Sequence, residues 1–191
     1  MQLFSGAGAD VALLQPLQSA LAGRDSVTFA WSSGCFTALR ESSAERLFLY
    51  EPPYGAERDA SLVQRLEFVR MLAWRPVSLR RARAAFWRMV TQKMEGGNGF
   101  DDAPLDLRER LVSVPGSFVR EIFSATGRDI KPRGGVHLAI GSRSATPMRR
   151  AVERLSVLLA APIDVLEGLD HLAPLTQPEA IAAWIAAHHR T

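Results

Sequence analysis

Residues 25–34, Asp25-Ser26-Val27-Thr28-Phe29-Ala30-Trp31-Ser32-Ser33-Gly34, decide how the chain is read. A β-prone run at 27–30 meets a tight turn at 31–34, and a helical pattern begins at Cys35. Strand, sharp turn and helix with a serine at the apex is the layout of a nucleophile elbow. Its usual spacing, Gly-x-Ser-x-Gly, here reads Ala30-Trp31-Ser32-Ser33-Gly34. Small residues are needed two before and two after the serine, because the backbone turns so tightly that a larger side chain collides across the bend. The same ten residues also suit an ordinary βα loop with a helix N-cap, so the rest of the chain has to separate the two readings.

Downstream, 46–50 (Arg-Leu-Phe-Leu-Tyr) is a second buried-strand pattern, stopped by Glu51-Pro52-Pro53. A carboxylate at the C-terminal end of a parallel strand lies where open α/β sheets place their chemistry. Upstream, 1–4 reads as a strand stub and 5–8 as a tight loop able to point N–H groups at an anion. A helix is expected over 10–22, kinked or started late by Pro16. After Pro53 strand signals give way to helical ones: 60–74 with Leu62, Leu66, Val69 and Leu72, then 77–95, 105–112 and 117–125. Strands return at 135–140 and 163–166, with helices over 148–159 and 177–188. This rhythm predicts an α/β fold, a parallel sheet flanked by helices, with a helical cap insertion at about 56–128 inside one domain spanning 1–191.

Composition narrows the function classes. The 191 residues suffice for one real core, and 47% hydrophobic with 23% charged residues is ordinary for a globular protein. The single cysteine, Cys35, excludes an internal disulfide framework and a cysteine-rich zinc site. No apolar run is long enough to span a bilayer and no signal peptide pattern is present, so a cytoplasmic location without a membrane partner is expected. Net charge is +3. Arg75, Arg80, Arg81, Arg83 and Arg88 cluster, but Trp74, Phe86, Trp87 and Met89 interleave at helical spacing, which reads as a solvated helix face rather than a nucleic-acid patch. No metal or organic cofactor is called for.

Three blocks carry a resemblance to the α/β-hydrolase superfamily: Ala-Trp-Ser-Ser-Gly at 30–34, Leu-Tyr-Glu-Pro-Pro at 49–53 and Gly-Leu-Asp-His-Leu-Ala-Pro at 168–174. Their order, nucleophile, acid, histidine, is the order that family uses. The resemblance implies Ser32 as nucleophile, His171 as general base and Glu51 as the supporting acid, in preference to the adjacent Asp170. The loop after strand 135–140, where many members keep the acid, holds no carboxylate. Ser33 and Gly6 are the candidate oxyanion donors, and Trp31 is a candidate binding residue. The implied activity is hydrolysis of a small ester, thioester or amide. The alternatives are a non-catalytic, degenerate binding or interaction module, and acyl-transfer or lyase chemistry on the same triad. His137 is expected to be packed, and His188 and His189 terminal and exposed. Only about thirty residues precede Ser32, so the chain resembles an N-terminally shortened member. Strand 27–30 is then expected to be an exposed sheet edge through which a homodimer could form.

Overall fold

The computed structural model of the protein describes residues 2–4, 15–20, 27–113, 130 and 134–189. Five strands, β1 (Gln2–Phe4), β2 (Val27–Trp31), β3 (Arg46–Tyr50), β4 (Val136–Gly141) and β5 (Ile163–Leu166), form one parallel sheet in the order β1-β2-β3-β4-β5. Among the described residues the α-helices are α1 (Gln15–Ala20), α2 (Gly34–Glu41), α3 (Leu62–Trp74), α4 (Leu79–Val90), α5 (Gly99–Asp102), α6 (Leu105–Ser113), α7 (Thr146–Leu159), α8 (Ala173–Thr176) and α9 (Pro178–His189). The expected helix over 117–125 lies outside the described residues, as do 5–14 of the N-terminal segment.

Side chains alternate across the sheet, so β2, β3 and β4 feed two cores. On one face Ala30, Leu47, Leu49, Leu138 and Ile140 pack beneath Cys35 and Ala38 of α2 and Met148, Val152 and Leu155 of α7. On the other, Phe29, Trp31, Phe48 and Tyr50 meet Leu17 of α1, Ile181 and Trp184 of α9, and the helices between β3 and β4. Burial on both faces is why these strands read as nearly continuous apolar runs.

Three expectations need correction. Strand β2 is not a sheet edge: Gln2–Phe4 pairs with it in parallel, Phe4 opposite Ala30, so the argument for a homodimer through that edge falls away. The helix expected over 77–95 ends at Val90. Thr91 ends it: its hydroxyl donates to the Trp87 carbonyl at 2.7 Å and accepts from the Phe100 N–H at 3.0 Å, turning the chain back. Gln92 and Lys93 then run extended, bridging Asn98 and Ser144. Finally, α3 forms as the spacing predicts, opened by a Ser61/Gln64 capping box, but it is rotated. It buries Glu67 and Met71 and leaves Leu62, Leu66, Val69 and Leu72 exposed.

Two buried acids make the fold sensitive to alkali. Burial pushes the Cys35 thiol well above its usual range; the Tyr50 phenol is pushed up by burial and then by the neighbouring Glu51 charge. Below the unfolded-state values both states keep these protons. Above them the unfolded chain ionises and the folded one resists, so stability is lost as pH rises. Melting temperature is therefore expected to fall progressively above about pH 9 in Cys35- and Tyr50-dependent fashion. A Cys35→Ala variant should show a shallower alkaline decline, and an unchanged slope would contradict the assignment.

Candidate functional site

The register of the sheet brings the proposed groups together. Trp31 pairs with Tyr50, so Ser32 and Glu51 are the next residues beyond adjacent strand ends. Both leave the sheet in the left-handed region, Ser32 at φ +56° and Glu51 at φ +51°. Such backbone costs a non-glycine residue on the order of 1–3 kcal/mol and persists where the surroundings over-determine it. Here the surroundings are hydrogen bonds: the Ser32 N–H donates to the Tyr50 carbonyl at 3.0 Å, and the Glu51 N–H to the Ala139 carbonyl at 3.0 Å. The Cys35 N–H donates to the Ser32 carbonyl, so α2 starts directly after the serine.

Glu51 is fully buried, and a carboxylate so placed is costly unless its oxygens are satisfied. Oε1 accepts the Gly141 N–H at 2.9 Å and the Ser144 hydroxyl; Oε2 meets His171 Nδ1 at 2.7 Å. Facing an ionised carboxylate, which only accepts, Nδ1 is the donor, and in the neutral ring Nε2 then presents a lone pair. His171 is itself buried, and Nε2 has no hydrogen-bond partner. The Ser32 hydroxyl is therefore not bonded to it in this structure. The Trp31 ring lies 5.5 Å from the imidazole and 6.1 Å from Trp87, stacked on the latter, and both indoles are buried in the core beside His171.

The loop carrying His171 is tied down from three directions. Tyr50 donates its hydroxyl to the Asp170 carbonyl at 2.8 Å. The Arg143 N–H donates to the Leu169 carbonyl at 3.0 Å. Lys93, whose side chain is almost fully buried, sits 3.4 Å from Asp170 and 2.6 Å from Asp102. Asp170 thus serves Lys93 and its own turn, through the Leu172 N–H, rather than the imidazole. The approach at the end of β4 is so close that a Cβ on Gly141 would lie 2.2 Å from the Leu169 carbonyl oxygen, so no larger residue fits there.

Of the candidate residues, the structure joins Glu51 to His171 and sets Ser32, Ser33 and Trp31 at the end of the neighbouring strand. Gly6 lies outside the described residues. His137 is packed against Phe48, rings 4.8 Å apart. Gly141, Ser144, Tyr50 and Lys93 were not singled out from sequence. For Gly141 and Ser144 the signal is the polar loop 141–144, which holds no carboxylate; Tyr50 and Lys93 carry none. A separate cleft of about 550 Å³ between α3, α4 and α6 is lined by Trp74, Arg81, Phe100 and Arg108 among others; Ser32, Glu51 and His171 take no part in it.

No family model matches the sequence, and no curated protein matches it. Solved structures do. An α/β hydrolase from Sphaerobacter thermophilus matches at TM-score 0.59 and 17% identity over 97% of this chain and 90% of that one. MenH from S. aureus matches at TM-score 0.53 and 9% identity over 91% and 72%. The Vlm2 thioesterase domain matches at TM-score 0.50 and 13% identity over 97% and 91%. At such identities the likeness speaks for the fold and not for the chemistry. With its parallel sheet flanked by helices, the chain has the α/β-hydrolase fold.

Proposed function

We propose that the chain is a serine hydrolase of small esters, thioesters or amides, with Ser32 as nucleophile, His171 as general base and Glu51 as the acid behind it. The observation that carries this reading is the buried Glu51–His171 pair, 2.7 Å apart, with its outer nitrogen unpartnered, at the end of the strand next to the one that Ser32 ends at positive φ. A serine hydroxyl is a weak nucleophile until a neutral imidazole removes its proton. The Glu51 contact keeps that proton-free nitrogen facing outward and stabilises the imidazolium once formed.

In the forward step Ser32 Oγ bonds to the substrate carbonyl carbon while Nε2 takes the hydroxyl proton. The oxyanion is met by backbone N–H groups at the start of α2, Ser33 first, where the helix end favours negative charge. The C–O, C–S or C–N bond breaks, the leaving group takes the proton from Nε2, and an acyl-serine remains. Water, deprotonated by Nε2, releases the acid. Trp31 and Trp87 suit an apolar acyl group, and the inserted helices α3–α6 act as the cap over it.

A non-catalytic binding module is the second reading, favoured by one observation: the Ser32 hydroxyl makes no hydrogen bond to Nε2. Catalytic hydrogen bonds are often completed only in the substrate complex, so that gap does not decide the matter. Rapid mixing with para-nitrophenyl acetate separates the two readings. A burst of para-nitrophenol equal to the protein concentration, followed by slower steady release, is expected from an acyl-enzyme. Release at the buffer rate would leave the binding module as the better account.

A further inference from the structure

The outward face of α3 has no role in the site and an unusual make-up. At 100° per residue Leu62, Leu66, Val69 and Ala73 form one stripe, and it faces away from the protein: Leu62 is 72% exposed, Leu66 52% and Val69 60%. Arg65 borders the stripe on one side and Arg70 on the other, and Arg75 follows the last turn. Val77 and Leu79 continue the exposed apolar surface into the start of α4. The one acid of α3, Glu67, is buried on the opposite side of the helix, where it bonds Arg70. A contiguous apolar patch of this kind marks a binding surface rather than ordinary surface scatter.

We propose that this face of α3 lies on an anionic lipid surface. An apolar stripe flanked by arginines is the pattern of a helix lying in the headgroup region, with leucine and valine entering the acyl boundary and guanidinium groups meeting the phosphates. Charge argues against a second copy of the chain as the occupant. A two-fold contact presents the same patch from both sides, so the arginines of one copy meet a face that again carries arginines and no exposed acid on α3 to offset them. The surface is also a convex helix side without a groove, which a lipid interface accepts without shape matching. Lying on a bilayer needs no spanning segment, and among the described residues no helix is long and apolar enough to be one. The inference rests on α3 alone and stands or falls apart from the hydrolase reading.

Co-sedimentation of the full chain with large vesicles tests it. With equal parts phosphatidylglycerol and phosphatidylcholine the protein is expected to pellet, at least about tenfold more tightly than with phosphatidylcholine alone. The double variant Leu66→Asp, Val69→Asp should lose binding, and Arg65→Ser, Arg75→Ser should weaken it several-fold. All four positions are exposed, so melting temperatures should match the parent. As a measurement that needs no loss of binding, a Leu66→Cys chain carrying an environment-sensitive dye should shift to the blue on anionic vesicles; Cys35 is buried and does not compete for label. Failure to pellet with either lipid would overturn the proposal. So would pelleting unchanged by the double aspartate variant, a dye that does not shift, or a concentration-dependent dimer broken by that variant without vesicle binding.

Discussion

The His171→Gln variant is expected to fold, to melt close to the parent, and to hydrolyse para-nitrophenyl acetate about 10⁴-fold more slowly. Glutamine approximates the volume of the ring and can still offer an N–H to Glu51 Oε2, so the carboxylate keeps three donors. What it lacks is a ring nitrogen whose lone pair can take the serine proton. His171→Ala should be equally inactive but less stable, because it leaves a fully buried carboxylate oxygen facing a void beside Trp31. Removing one partner of a buried pair costs about 3–5 kcal/mol, which in a chain of this size is a drop of roughly 6–20 °C in melting temperature. A folded His171→Gln protein that kept more than a tenth of parental activity would remove the histidine from the mechanism.

Glu51→Gln separates the acid's charge and orientation from its bulk. The amide oxygen can still accept from the Gly141 N–H and the Ser144 hydroxyl. Its NH₂ then faces Nδ1 and donates, which moves the imidazole proton to Nε2 and leaves that nitrogen an N–H where the proposed mechanism needs a lone pair. Wrong-tautomer substitution in a serine-protease triad costs about 10⁴-fold in kcat, and a loss on that order is expected here. KM should change little, since Glu51 is buried away from substrate. A variant losing KM but not kcat would mean that Glu51 shapes the pocket and does not support the imidazole.

Much of this architecture is legible in the chain. Strands β2 to β4 announce themselves because runs such as Leu47-Phe48-Leu49-Tyr50 are buried on both faces and bounded by residues that cannot continue them. The orientation of α3 is not legible. Its two faces are both apolar, Leu62-Leu66-Val69 on one and Phe68-Met71-Trp74 on the other, so helical periodicity identifies the element without choosing its inner side. The strand stub at 1–4 is legible, but its pairing with β2 is not, because three residues carry too little pattern to fix a neighbour.

The site divides the same way. Ser32, Glu51 and His171 can be nominated because each follows a strand in the right order. That Glu51 meets His171 across 120 residues of sequence is a property of register and loop closure. Ser144 and Gly141 could not be foreseen: they matter because the loop after β4, lacking a carboxylate, turns its donors onto the one at the end of β3. Lys93 depends on tertiary contact still more, since the turn after α4 must first carry it against Ser144 and Asp170.

Locating the adduct of a fluorophosphonate on the protein tests the mechanism most directly, because the reagent bonds only to a serine whose proton is being taken. One adduct per chain, found by peptide mass spectrometry on Ser32 and lost in His171→Gln, is the expected result. A folded, parental protein that takes up no reagent, or takes it up on a different serine, would contradict it.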